Sequence, residues 1–100
     1  MRYKFDWDPV KERKNVAKHR ISFRQAATVF RDPNQLSVHD EEHSESEDRW
    51  ITIGFDSAGV LQVVIHTFEK TDKDLYHIRI ISARKATKTE EGQYRRKTNL

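Results

Sequence analysis

The sequence predicts a single α+β domain, in which a small antiparallel sheet packs with two N-terminal helices and one C-terminal helix (order β-α-α-β-β-β-β-α). Three observations support this fold class. Aromatic and polar residues alternate from Tyr3 to Trp7, which is the period of a half-buried strand. Helix starts follow at Asp8-Pro9 and at Ser22. Four segments rich in β-branched and aromatic residues then precede a polar C-terminal segment.

The two N-terminal helices have recognisable caps. Asp8-Pro9 supplies an N-cap and a first-turn proline, so we expect a helix from residue 9 to about residue 19. Ser22 caps a second helix, and a turn at Asp32-Pro33-Asn34 ends it. Its apolar residues recur at the spacing of a buried stripe: Phe23, Ala26, Ala27, Val29 and Phe30.

Four further strands are expected at residues 35–39, 49–55, 60–68 and 75–82. An acidic loop (40–48), a hairpin connection (56–59) and a charged turn (69–74) join them. The last helix is expected from residue 84 to about 97. The whole forms one domain over residues 1–96, with a frayed tail at 97–100.

Composition narrows the class of protein. Hydrophobic residues make up 35% of the chain and charged residues another 35%, and there is no cysteine. The chain therefore has no disulfide and no thiolate chemistry. No apolar run approaches the roughly 20 residues of a membrane span, and the N-terminus lacks the apolar core of a signal peptide. We expect a soluble cytoplasmic protein that needs no cofactor.

Charge is distributed unevenly along the chain. Residues 1–31 carry 9 Lys/Arg and 3 Asp/Glu, whereas residues 32–48 carry 7 Asp/Glu and no Lys/Arg. Residues 75–100 carry 7 Lys/Arg and 2 Asp/Glu. The two basic ends can attract nucleic acid, and an acidic protein partner could use the same field.

The last strand and its exit carry the first candidate site. Arg79 interrupts an apolar run, and Arg84 and Lys85 follow at the strand end. A guanidinium is rarely buried without a partner, and its planar fork fits a phosphate in two-point contact. We expect Arg79 and Arg84 to clamp phosphate, with Lys85 binding substrate beside them.

A histidine on the preceding strand is expected to complete this site. If the two strands are antiparallel neighbours, His66, His77 and Arg79 approach one another. RNA cleavage by its own 2′-hydroxyl needs a base, an acid and cations, and no metal. His66 is then a proton-transfer group, with Glu47 or His43 as its counterpart. The alternatives are a hydrogen-bonded core histidine at position 66 and a structural or surface role for His77.

Other polar residues are weaker candidates. Lys18 and His19 end the first helix and Arg49 opens a strand, so all three could position the RNA backbone. Trp50 is a candidate for base stacking, although a tryptophan at a strand start is often part of the core. A metal-hydrolase alternative uses three residues of the acidic loop and its approach: His39, Asp40 and His43.

Several blocks in a specific order resemble the BrnT family of bacterial type II toxins, whose fold is similar to RelE-type ribonucleases. The blocks are Phe5-Asp6-Trp7-Asp8; Asn15 with Lys18-His19; Ile21-Ser22-Phe23 with Ala26-Ala27 and Val29-Phe30; Asp40 with His43-Ser44; Glu47 with Arg49; Gly54; Val63-Val64 with His66; and Ile78-Arg79-Ile80-Ile81-Ser82-Ala83-Arg84 with Ala86 and Glu90. One departure is the segment 69–76, which is longer than the short turn expected there.

The resemblance implies an RNA endonuclease that halts translation. It also implies a cognate antitoxin that neutralises the toxin in a heterotetramer or larger complex, and no membrane partner. Toxin and antitoxin would repress their own operon, with operator DNA bound only through the antitoxin. The rival hypothesis is a binding module without chemistry, which docks an acidic partner or nucleic acid.

Overall fold

The computed structural model describes residues 2–98, which form a six-stranded sheet and three α-helices. The strands are β1 (Arg2–Trp7), β2 (Leu36–His39), β3 (Trp50–Phe55), β4 (Leu61–His66), β5 (Glu69–Asp72) and β6 (Leu75–Lys85). The helices are α1 (Pro9–His19), α2 (Phe23–Ala27) and α3 (Lys88–Thr98), with short 3₁₀ helices at Thr28–Arg31 and Glu41–His43. The predicted α+β class is confirmed. The additional strand β5 lies in the segment predicted as a charged turn.

The sheet has the strand order β1-β6-β4-β3-β2, and β5 pairs with the start of β6. The pairings β2–β3, β3–β4 and β4–β6 are antiparallel, as expected. One pairing differs from that arrangement, because β1 runs parallel to β6 and places Asp6 opposite Arg79. A parallel pair needs a long connection, and the chain between β1 and β6 supplies it.

One face of the sheet, the helical face, packs against α1 and α2. Its core contains Phe23, Val64, Ile78 and Ile80, all nearly or fully buried. Asn15 of α1 is buried beside this core and hydrogen-bonds to three backbone groups: the Ile21 carbonyl, and the carbonyl and N–H of Ala83. These bonds hold α1 against β6 with its polar groups satisfied.

The opposite face, the open face, is only partly covered. α3 lies over β2, β3 and β4, where the Tyr94 ring meets Phe55 edge-on and its hydroxyl donates to Asp32 (2.6 Å). Thr87 and Glu90 form a capping box at the start of α3. The helix therefore begins at Lys88, and the prediction that it begins at residue 84 is wrong.

The C-terminal helix runs to Thr98, and residues 99 and 100 of the predicted frayed tail lie outside the described residues. Across residues 2–98 we find no helix with the length and apolar character needed to cross a membrane.

Candidate active site

β6 places two polar side chains on the open face of the sheet. Ile78 and Ile80 are buried in the core on the helical face. Because successive side chains of a strand point to opposite faces, His77 and Arg79 project from the open face. α3 does not reach this part of the face, so both side chains line an open cleft.

Arg79 forms an ion pair with Glu47, which lies in the acidic loop before β3. The Arg79 side chain is 43% exposed, so this pair lies at the surface. The other oxygen of Glu47 is 3.9 Å from Nε of Arg49. That Nε is buried and has no hydrogen-bond partner among the described residues. Glu47 thus lies between two guanidinium groups, as a phosphate oxygen would.

His77 is held by Asp6 of the neighbouring strand β1. Its Nε2 is 2.8 Å from Oδ2 of Asp6, which leaves Nδ1 without a partner among the described residues. The contact depends on the parallel pairing of β1 and β6, in which Lys4 is opposite His77. Sequence reasoning missed Asp6 as a site residue because it did not predict that pairing.

The cleft has a volume of about 370 Å³. Besides Arg79, Glu47 and His77, it is lined by Asp48, Thr67, Phe68 and Glu69. Three carboxylates therefore line the cleft with one guanidinium and one imidazole. Among the residues that line the cleft, Arg79 is the one that would attract a phosphate group.

His66 does not lie in this cleft, and the expected approach of His66 to Arg79 is not found. It is only 2% exposed and meets Phe30 edge-on in the core. Nδ1 lies 2.8 Å from the Thr67 carbonyl, which can only accept, so Nδ1 carries the proton and Nε2 accepts from the Thr52 hydroxyl (2.6 Å). Burial lowers the pKa of His66 to about 4, so the ring is neutral near pH 7.

His66 nevertheless supports the candidate site through Thr67. The Thr67 N–H donates to the Arg79 carbonyl (2.9 Å), and the Arg79 N–H donates to the Thr67 hydroxyl (3.0 Å). The imidazole holds the carbonyl of this same threonine. His66 thus fixes the backbone that presents Arg79, although it does not reach the cleft.

Arg84 forms a two-point ion pair with Glu90 of α3, at 2.7 and 2.8 Å. Hydrogen bonding and charge attraction raise the pKa of Arg84, and the bond from Arg84 lowers the pKa of Glu90 to about 2. Neither residue lines the cleft of Arg79. Lys85 is exposed beside another depression, formed with Phe55 and Leu61.

Two carboxylates of the acidic loop pair with two different histidines, one in the loop and one at the end of β2. His43 Nδ1 is 3.0 Å from Asp40, and His39 Nε2 is 3.2 Å from Asp48. Within residues 2–98, no group of three or more His, Asp or Glu residues is arranged to hold a metal ion. None of these residues except Asp48 lines the cleft.

The remaining predicted substrate-binding residues lie elsewhere. Lys18 is exposed and His19 half-buried at the end of α1, and neither lines the cleft. Trp50 is opposite His66 in the β3–β4 pairing and meets Phe68 and His39 edge-on, so it faces the helical side of the sheet. The structure thus brings together Arg79, Glu47 and Arg49 of the predicted set, keeps His77 beside Arg79 as expected, and adds Asp6.

Comparison with known proteins agrees with this architecture. The model of a family described as the ribonuclease toxin BrnT of type II toxin–antitoxin systems matches residues 7–90. The chain therefore belongs to the BrnT family of ribonuclease toxins, which implies an RNA target and an antitoxin partner.

A solved structure shares the fold. The crystal structure of the Brucella abortus ribonuclease toxin BrnT aligns with a TM-score of 0.58 at 21% sequence identity, covering 88% of this chain and 100% of that chain. At this identity the likeness concerns the fold alone. No curated protein matches the chain.

Proposed function

We propose that this protein cleaves RNA endonucleolytically without a metal ion, using the 2′-hydroxyl of the substrate as nucleophile. The observation that carries the proposal is the cleft on the open face, where Arg79, Glu47 and the His77–Asp6 pair meet. These side chains provide a cation, a carboxylate and an imidazole beside one opening. Membership of a ribonuclease toxin family supports RNA as the substrate.

The chemistry requires two proton transfers and one phosphorus centre. A base removes the proton of the 2′-hydroxyl, and this oxygen attacks the adjacent phosphorus. The bond to the 5′-oxygen breaks, and an acid protonates that oxygen. The products carry a 2′,3′-cyclic phosphate and a 5′-hydroxyl. We assign the base to Glu47 and the acid to Nδ1 of His77, because Asp6 already occupies Nε2.

Arg79 stabilises the charge that develops on the phosphoryl oxygens. In the free protein its guanidinium is paired with Glu47, so an incoming phosphate replaces that carboxylate at Arg79. The displaced Glu47 then lies next to the reacting phosphate, where a base is needed. Arg49 lies on the other side of Glu47 and supplies a second positive charge.

The biological role follows from this chemistry and the family. We assign to the protein cleavage of RNA that stops translation in the cytoplasm, and neutralisation by a cognate antitoxin. In a heterotetramer or larger complex, the pair represses its own operon through DNA contacts of the antitoxin. Family membership supports this role.

The test is cleavage of a defined RNA by purified protein in EDTA. We expect 2′,3′-cyclic phosphate ends, and no cleavage where the 2′-hydroxyl is methylated. Arg79→Ala should reduce the rate by about 10²–10³-fold, the usual cost of removing a group that stabilises transition-state charge. Arg13→Ala, which removes an exposed charge from α1, is the matched control.

Three outcomes would contradict the proposal. The first is cleavage that disappears with EDTA and returns with a divalent cation. The second is equal cleavage by the wild type and Arg79→Ala. The third is salt-dependent RNA binding without strand scission, which would favour a binding module.

A further inference from the structure

A second concave surface lies on the helical face, on the other side of β1 from the cleft. This surface, the aromatic groove, lies between the edge strand β1 and α2 and has a volume of about 450 Å³. It is lined by four aromatic rings and two arginines: Tyr3, Phe5, Trp7, Phe30, Arg24 and Arg31.

The aromatic rings form a continuous cluster along the groove. Phe5 lies 5.5 Å from Phe30 and 6.0 Å from Tyr3, measured between ring centroids. The three rings of β1 are only half-buried, so part of each remains accessible. Aromatic side chains beside a basic groove are the usual platform for the bases of single-stranded nucleic acid.

The two arginines are available for a ligand. Arg24 and Arg31 are exposed, and neither side chain forms an ion pair or hydrogen bond with another described residue. Among residues 2–98, no carboxylate lines the groove. This differs from the cleft, where Arg79 is paired with Glu47. The groove is thus complementary to a polyanion that also presents flat rings.

The groove adjoins the cleft around one edge of the sheet. Asp6 and Trp7 are consecutive in β1 and point to opposite faces, Asp6 towards His77 and Trp7 towards Phe23 in the core beside the groove. Among the described strands, none pairs with the outer side of β1. An extended strand leaving the cleft over this edge therefore meets the groove.

We propose that the aromatic groove binds single-stranded RNA that flanks the cleaved phosphate, with bases on the aromatic rings and phosphates at Arg24 and Arg31. This proposal rests on the RNA cleavage proposed above and adds a second substrate-binding site to it. The groove anchors a long substrate and takes no part in the chemistry. It therefore affects KM for long RNA and leaves kcat unchanged.

The experiment compares the double variant Arg24→Gln/Arg31→Gln with Arg13→Gln/Lys14→Gln, which removes the same charge from the exposed side of α1. The probe is a 2′-O-methyl oligouridine of about twelve nucleotides, which cannot react and is long enough to span both sites. Its affinity is measured by fluorescence anisotropy at several salt concentrations. In parallel, kcat and KM are measured for a trinucleotide and for a long RNA.

We expect the groove variant to bind the probe more weakly than the control variant at low salt. Raising salt from 50 to 200 mM should cost the wild type about sevenfold more affinity than the groove variant, because two single-strand phosphate contacts each contribute a slope of about 0.7. KM should rise for the long RNA only. A 5-iodouridine probe should crosslink to residues 3–7 in the wild type.

Several results would overturn the inference. One is equal probe affinity and salt slope in the two variants, and another is an equal rise in KM for the trinucleotide. A third is weaker binding of a poly-glutamate peptide by the groove variant with RNA binding unchanged, which would make the groove a peptide site. Because the probe cannot react, loss of its binding in the groove variant supports the groove even if the wild type proves inactive on RNA. Cleavage without any difference between the variants rejects the groove alone.

Discussion

His66 and Arg79 lie on adjacent strands of one sheet, yet their side chains leave it on opposite faces. His66 is opposite Ile80 in the β4–β6 pairing and shares the buried helical face with it. Arg79 precedes Ile80 and projects into the cleft. Thr67 connects the two, because its carbonyl accepts from His66 and its other polar groups bond to the Arg79 backbone. His66 is thus part of the packed core, whereas Arg79 is accessible for the substrate contact proposed above.

The burial of His66 makes the stability of the fold depend on pH. Its pKa is about 4 in the folded protein, below the ordinary value of 6.5, because burial disfavours the charged ring. As pH falls, His66 therefore binds a proton in the unfolded chain at a higher pH than in the folded protein. The stability that depends on neutral His66 is fully present above pH 6.5 and is lost as pH falls towards 4. We expect a loss of about 2 kcal/mol between pH 7.5 and pH 5, measured by urea unfolding.

The control for this prediction is a pair of variants. His66→Gln should be less stable at pH 7.5 but should lose little more on going to pH 5, whereas His39→Gln should keep the full loss. Asp32, Asp56 and Glu90 also have lowered pKa values, but in the unfolded chain they titrate below about pH 4.5, outside this range. A loss of the same size in His66→Gln would contradict the assignment to His66.

The contrast between His66 and Arg79 also shows which features of the site could be predicted from the sequence. Alternation correctly predicts that Gln62, Val64 and His66 share one face of β4, and that His77 and Arg79 share one face of β6. It does not say which faces coincide, because a shift of one residue in register exchanges them. The α+β class follows from local sequence patterns and could therefore be predicted. The register between β4 and β6 does not follow from local patterns and could not be predicted.

The same limit explains the other differences in the site. The pairing of Asp6 with His77 depends on two strands about seventy residues apart running parallel, which no local pattern encodes. The start of α3 had a usable local signal, since Thr87 and Glu90 have the spacing of a capping box. Glu47 and Arg49 were predicted from residue type, and the structure adds their proximity to Arg79.

Substitutions in the His77–Asp6 pair should lower the rate of cleavage without lowering the stability of the fold. His77→Gln removes the proposed acid, so kcat should fall by about 10²–10⁴-fold while the urea midpoint stays near that of the wild type. Asp6→Asn keeps the imidazole but weakens the hydrogen bond that orients it, so a smaller fall in kcat is expected. Lys73→Gln, an exposed change in the β5–β6 turn, is the activity control. Wild-type kcat in His77→Gln would remove this residue from the mechanism.

Removing the charge of Glu47 should strengthen RNA binding but slow RNA cleavage. In Glu47→Gln the carboxylate that competes with phosphate for Arg79 is gone, so a 2′-O-methyl RNA should bind several-fold more tightly. Cleavage of normal RNA should be slower by about 10²-fold or more, because the proposed base is absent. Glu45→Gln makes the same change at an exposed position of the same loop. Faster cleavage by Glu47→Gln would show that Glu47 only blocks the site.

The Arg84–Glu90 pair should contribute to stability more than to cleavage. Its two hydrogen bonds join the end of β6 to the first turn of α3, but the Arg84 side chain is 42% exposed and water weakens the attraction. We expect Arg84→Ala to lower the free energy of unfolding by about 1 kcal/mol, since two-point pairs are at the upper end for partly exposed ions. A double-mutant cycle with Glu90→Ala should recover most of that energy as coupling between the two residues.

Because the folded pKa of Glu90 is about 2, below the ordinary 4.5, the stabilisation by this ion pair is present above pH 4.5 and is lost as pH falls towards 2. In the cleavage assay, Arg84→Ala should retain at least tenfold more activity than Arg79→Ala. If Arg84→Ala instead abolishes cleavage while stability is unchanged, Arg84 is the phosphate clamp that residue type suggests, and Glu90 must release it when RNA binds.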